Sequence, residues 1–92
     1  MFKKGDWIIA TKEFQYKSGY WDRSYMDCAM LVTGVSETHI SYLGQWSIKE
    51  RIMSMDQVIG RGMKIAEDFI VEASKQHMPW ITNICVSVEN NV

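Results

Sequence analysis

The amino-acid sequence predicts an α+β fold: a strongly bent antiparallel sheet of four to five strands, one principal helix near 62–77, and a C-terminal strand. Three observations predict it. The run "DCAMLVTGVSETHISYLG" (27–44) holds two β-rich apolar stretches around a turn. "GMKIAEDFIVEASKQH" (62–77) spaces Met63, Ala66, Phe69, Ile70 and Ala73 as one helical stripe, with Glu67, Asp68, Glu72 and Lys75 off it. "WITNICVSVE" (80–89) alternates, with Trp80, Ile84, Val86 and Val88 on one side and Asn83, Cys85 and Ser87 on the other.

The elements follow in order. "DWIIATK" (6–12) is short, apolar and β-prone, and reads as the first strand. The aromatic stretch 12–25 comes next. Strands at 27–34 and 37–43 then flank a tight turn at Val35-Ser36. That register sets Leu31 against Ile40 and Ala29 against Tyr42 on one apolar face, leaving Cys28, Met30 and Val32 on a mixed face with Leu43, Ser41 and His39. Residues 45–60 admit two readings. Ile48, Ile52, Met55 and Ile59 fit a helical stripe, and Ser47 with Glu50 fits a capping box. The preferred reading is a strand at 46–53 followed by a one-turn helix at Ser54–Val58, because Trp46, Ile48 and Ile52 also alternate. In the helix 62–77, Asp68 precedes Lys75 and His77 in the sense the helix dipole favours, and Pro79 ends it.

Length and composition bound the rest. Ninety-two residues predict a single domain over 1–92, and 47% hydrophobic with 23% charged residues is ordinary for a folded chain. The net charge of −1 supplies no global field toward nucleic acid or an anionic membrane. Residues 1–25 carry a net +2 and the remainder −3, a slight asymmetry. The apolar run Trp7–Ala10 is too short for a secretory leader, and no stretch approaches a membrane span. Cys28 and Cys85 lie in apolar runs without metal spacing, so both are expected to be reduced, buried and cytoplasmic.

The opening "KKGDWIIATKEF", the long aromatic loop, the tight hairpin, the fourth strand and the short helical turn resemble an SH3-like small β-barrel over residues 3–60. The resemblance implies that the loop between the first two strands lines a groove for peptides. It also makes the helix 62–77 and the terminal strand additions to a minimal barrel.

Function is sought in "KEFQYKSGYWDRSY" (12–25), which holds five of the chain's eleven aromatic residues. Two readings compete. In one, Phe14, Tyr16, Tyr20, Trp21 and Tyr25 all pack into a core hairpin that turns at Ser18-Gly19. In the other, Phe14, Tyr16, Lys17, Tyr20, Trp21, Arg23 and Tyr25 form a partner-binding surface. A small domain cannot bury five rings at ~150–250 Å² apiece. Adjacent Tyr20 and Trp21 cannot both face inward on a strand, so these two are expected to be exposed. Exposed Tyr, Trp and Arg are hot-spot residues of protein interfaces. A small non-catalytic binding module is therefore expected: an adaptor, or an inhibitor of a larger protein such as bacteriophages encode. The alternative is a nucleic-acid-binding small barrel that stacks bases on the same rings, with Lys3, Lys4, Lys12, Lys17 and Arg23 gathered beside them.

Other motifs point to no chemistry. Gly60-x-Gly62 precedes the helix, but Ile65 stands where a dinucleotide loop needs glycine, and turns with positive φ are expected to explain both glycines. In the expected register His39 faces Val32, roughly 13 Å along the strand from Cys28, too far for a thiol–imidazole pair. Neither these residues nor His77 and Cys85 have metal-ligand spacing. No cofactor, metal or catalytic residue is expected.

Overall fold

The computed structural model describes residues 1–44 and 47–78; the expected strand at 80–88, with Cys85, lies outside the described residues. Among the described residues, seven strands and two helices succeed one another: β1 (Trp7–Ile9), β2 (Phe14–Gln15), β3 (Trp21–Asp22), β4 (Met30–Val35), β5 (His39–Gly44), β6 (Ser47–Ser54), α1 (Met55–Gly60), β7 (Lys64–Ile65) and α2 (Asp68–Gln76). A 3-10 turn at Ser24–Met26 joins β3 to β4. Five strands form one antiparallel sheet in the order β6-β5-β4-β1-β7, while β2 and β3 pair separately. Among the described residues the sheet is open, with β6 and β7 as its edges. The long edge strand β6 carries Lys49, Glu50 and Arg51 in its centre, charges that oppose accidental strand pairing. No helix among the described residues is long and apolar enough to cross a membrane.

Both faces of the sheet are covered, which is why β1 reads as an unbroken apolar run rather than an alternating one. Trp7, Ile9, Leu31 and Leu43 meet Val71 and Met78 on one side. Ile8, Met30, Val32, Ile40, Tyr42 and Met53 meet Val58 of α1 on the other, with Tyr25 packed against them.

The β4–β5 register differs from the expected one. Leu31 pairs with Leu43 and Val32 with Tyr42; after an irregularity, Gly34 pairs with Ser41 and Val35 with Ile40. The turn sits at Glu37-Thr38, two residues later than Val35-Ser36. Ser36 draws it there: its amide donates to the His39 carbonyl at 2.8 Å, and its hydroxyl accepts from the His39 amide at 3.1 Å. Leu31 and Ile40 consequently lie on opposite faces, and neither face is mixed at the centre of the sheet.

Over the described residues 47–60 the strand-then-helix reading holds. The helix cap is Ser54 with Gln57 rather than Ser47 with Glu50: the Gln57 amide donates to the Ser54 hydroxyl, and the Ser54 amide to Gln57 Oε1, both at 3.2 Å.

The principal helix is shorter than expected and turned about its axis. Residues 64–65 are strand β7, paired with β1, so Met63 and Ala66 precede the helix and say nothing of its phase. Val71 and Ser74 face the sheet, while Phe69 is 69% exposed and Ala73 is exposed. A buried hydroxyl selects this face. Ser74 Oγ accepts from the Ala29 amide at 2.8 Å and donates to the Ile70 carbonyl at 2.7 Å, satisfying a buried donor just before β4 that a phenylalanine would leave unpaired.

Candidate functional site: a hairpin mounted on Arg61

The aromatic stretch folds as a small hairpin. Phe14 pairs with Asp22 and Gln15 with Trp21, the Tyr16 amide donates to the Tyr20 carbonyl at 2.8 Å, and Gly19 takes the turn with φ of 88°. Strand alternation then sorts the side chains. Phe14, Tyr16 and Asp22 turn inward; Gln15 and Trp21 turn outward.

The inward face closes around Arg61, which is 2% exposed. Its guanidinium carbon lies 4.4 Å from the Tyr25 ring centroid, 5.0 Å from Phe14 and 5.8 Å from Tyr16. Nη2 donates to the Tyr16 hydroxyl at 2.8 Å and to Asp22 Oδ2 at 3.3 Å. The second oxygen of Asp22 accepts from the Ser24 amide at 2.9 Å and the Ser24 hydroxyl at 2.6 Å. Burial pushes the Asp22 carboxyl upward, but the Ser24 hydrogen bonds and the Arg61 charge outweigh it and hold it below the usual aspartate value. Tyr25 adds a hydroxyl–hydroxyl bond to Tyr42 at 2.8 Å, and burial pushes the Tyr42 phenol well above its ordinary value.

The backbone positions this arginine. The short helix α1 ends in a Schellman arrangement: the Gly62 amide donates to the Ile59 carbonyl and the Met63 amide to the Val58 carbonyl, with Gly62 at φ of 58°. Arg61 is thereby the C-cap, and its own carbonyl accepts from the amides of Thr11 and Lys12 at 3.0 and 3.2 Å. Gly60 serves a different purpose from Gly62, contrary to expectation. Its φ is not positive; a Cβ there would lie 2.7 Å from the Phe14 ring. The Gly-Arg-Gly segment thus lets an aromatic ring lie directly against the end of a helix.

The seven expected site residues therefore divide. Phe14, Tyr16 and Tyr25 are partly buried against Arg61, whereas Lys17, Tyr20, Trp21 and Arg23 are exposed. Tyr20 is 64% and Trp21 54% exposed, and the Tyr20 ring leans on Tyr16 with centroids 6.0 Å apart. Arg23 lies 3.7 Å from Glu13, a solvent-exposed pair of little energetic weight. Sequence reasoning missed Arg61 and Asp22, the groups that hold the hairpin together. The available signal was an arginine between two glycines, directly after an apolar helix and within reach of an aromatic cluster. Among the described residues, no group of three His, Cys, Asp or Glu side chains could hold a metal ion. Compared with models of known protein families, with curated proteins and with solved structures, the chain has no match in any of the three.

Proposed function

We propose that the protein is a small non-catalytic binding module that recognises another protein through the outer face of the 14–25 hairpin. Tyr20 and Trp21 form the centre of the contact, with Lys17 and Arg23 at its rim. One observation carries the reading: two neighbouring aromatic side chains stand exposed on a hairpin whose inner face is bonded to Arg61. Rings held in place before binding lose little freedom on contact, and Tyr and Trp bring large area with few rotatable bonds. The aromatic excursion after the first strand of a bent sheet agrees with the SH3-like resemblance over residues 3–60 and supports an adaptor or an inhibitor that occludes a larger partner. A free, buried Cys28 supports a reducing, cytoplasmic setting.

The experiment is affinity capture from a host lysate with and without nuclease, comparing the native chain with Trp21→Ala. A protein partner survives nuclease and is lost with Trp21→Ala, whose truncation costs ≥2 kcal/mol of binding at an interface centre while melting is unchanged. Capture that vanishes with nuclease and weakens steeply with salt assigns the rings to base stacking instead. An unfolded Trp21→Ala variant would place the ring in the core and remove the site.

A further inference from the structure

Where the inner face of the hairpin meets β5, β6 and α1, a cleft of about 460 Å³ remains, lined by Tyr16, Tyr25, Tyr42, Arg51, Gln57 and Arg61. Its volume is in the range of small-molecule sites. Hydrogen-bond donors outnumber acceptors there. Arg61 has five N–H donors, yet only Nη2 is bonded; Nε and Nη1 are buried with no hydrogen-bond partner. The Tyr25–Tyr42 pair shares one hydrogen bond between two hydroxyls, so one O–H is left to donate. Gln57 uses its oxygen on the Ser54 amide, which leaves its NH₂ group as a donor.

Charge converges on the same place. Arg51 is the β6 residue paired with Tyr42 on β5, so both project to the same face of the sheet. Arg51 and Arg61 both favour the ionised form of the Tyr42 phenol, which puts two guanidinium groups near one hydroxyl. Among the described residues Arg51 has no ion-pair partner. Glu50, at the irregularity of the β5–β6 pairing, also lines the cleft and is the one carboxylate among its lining residues, against the two guanidinium groups of Arg51 and Arg61. Asp22 offsets Arg61 from behind the cleft, not within its lining.

We propose that this cleft binds an oxyanion, a carboxylate or phosphate group carried on a small organic molecule, gripped by Arg51, the Tyr25–Tyr42 hydroxyl pair and the Gln57 amide above the buried Arg61. The site is separate from the outer face of the hairpin, so it does not depend on the protein-recognition reading. The test is an NMR titration of the full chain with phenyl phosphate and with benzoate, using phenol as the uncharged control. Saturable shifts at the Gln57 side-chain amide and Arg61 Nε–H are expected for an anion and not for phenol, and the tighter anion identifies phosphate or carboxylate. Arg51→Gln, an exposed edge-strand change that leaves the core intact, is expected to weaken binding about tenfold or more by removing a charge-assisted hydrogen bond. Tyr42→Phe should weaken it as well, whereas Trp21→Ala should not. Absence of saturable shifts with both anions, or equal affinity in Arg51→Gln, overturns the proposal.

Discussion

Arg61→Met isolates the contribution of the arginine that holds the hairpin. Methionine keeps an unbranched apolar stem of comparable reach and removes the charge. The Arg61 carbonyl still accepts from Thr11 and Lys12, so the backbone attachment survives and any loss belongs to the side chain. Two effects oppose each other. Taking a guanidinium out of water is costly, and an apolar replacement avoids that cost. Against this, the variant abandons Asp22, whose side chain is 12% exposed, with no cation beside it. Removing one member of a buried pair costs ~3–5 kcal/mol, more than the relief from desolvation when the other charge stays behind. The ring contacts add to the loss, at ~0.5–2 kcal/mol for a cation–π contact depending on its desolvation. A destabilisation of ~3–5 kcal/mol is therefore expected, read from urea unfolding followed by tryptophan fluorescence. Asp22→Asn in the Arg61→Met background should recover part of it, because no charge then remains buried alone. A single-variant loss below ~1 kcal/mol, or a double variant no better than the single, would refute the assignment of the ion pair as the hairpin's anchor.

Three further outcomes follow from the same geometry. Phe69→Ala should change stability by no more than ~0.5 kcal/mol, while Val71→Ala costs ~1–3 kcal/mol, and the reverse order in denaturant melts would restore the originally expected helix phase. Because the Asp22 carboxyl is held below its ordinary value, its contribution is present above the unfolded pKa of ~3.9 and is lost as pH falls through the lower folded value. Acid melts should therefore show a loss of stability below about pH 4 that is smaller in Asp22→Asn. Burial pushes the Cys28 thiol upward, ahead of the opposing effect of its Ser74 contact, so a thiol-reactive dye should label Cys28 only after unfolding; rapid native labelling would contradict its place in the core.

The parts of the fold that were legible in the sequence share one property: their residues have strong local preferences. The strand-to-helix change at Ser54 is an example, since β-prone residues give way to a residue that caps a helix with its own side chain. The turn at Ser18-Gly19 is another, because Gly19 takes a conformation that other residues rarely adopt. Errors arose where a choice depended on a distant partner. Phe69 outranks Ser74 on any hydrophobicity scale, yet Ser74 is inside because the distant Ala29 amide, just before β4, needs an acceptor. The β4–β5 register likewise followed from hydrogen bonds of the Ser36 side chain, which apolar pairing could not reveal. Arg61 was the largest omission. Burying an arginine is improbable from composition, and its acceptors Tyr16 and Asp22 are 45 and 39 residues away.

The exposure of the candidate site is a consequence of that same buried pair. On an extended strand, adjacent residues must take opposite faces. Asp22 is drawn inward because Arg61 is buried in the hairpin's interior, and leaving that cation without its counter-charge would cost ~3–5 kcal/mol, more than the exposure of one ring. Trp21, one residue earlier, is then obliged to face solvent although it is among the most hydrophobic side chains of the segment. Across the turn, Tyr16 goes inward to accept from Arg61, and the exposed Tyr20 ring leans on it. The aromatic stretch is thus neither wholly buried nor wholly exposed. Its inward half is core and its outward half is left displayed. The dividing line is drawn by Asp22, the carboxylate bonded to Arg61.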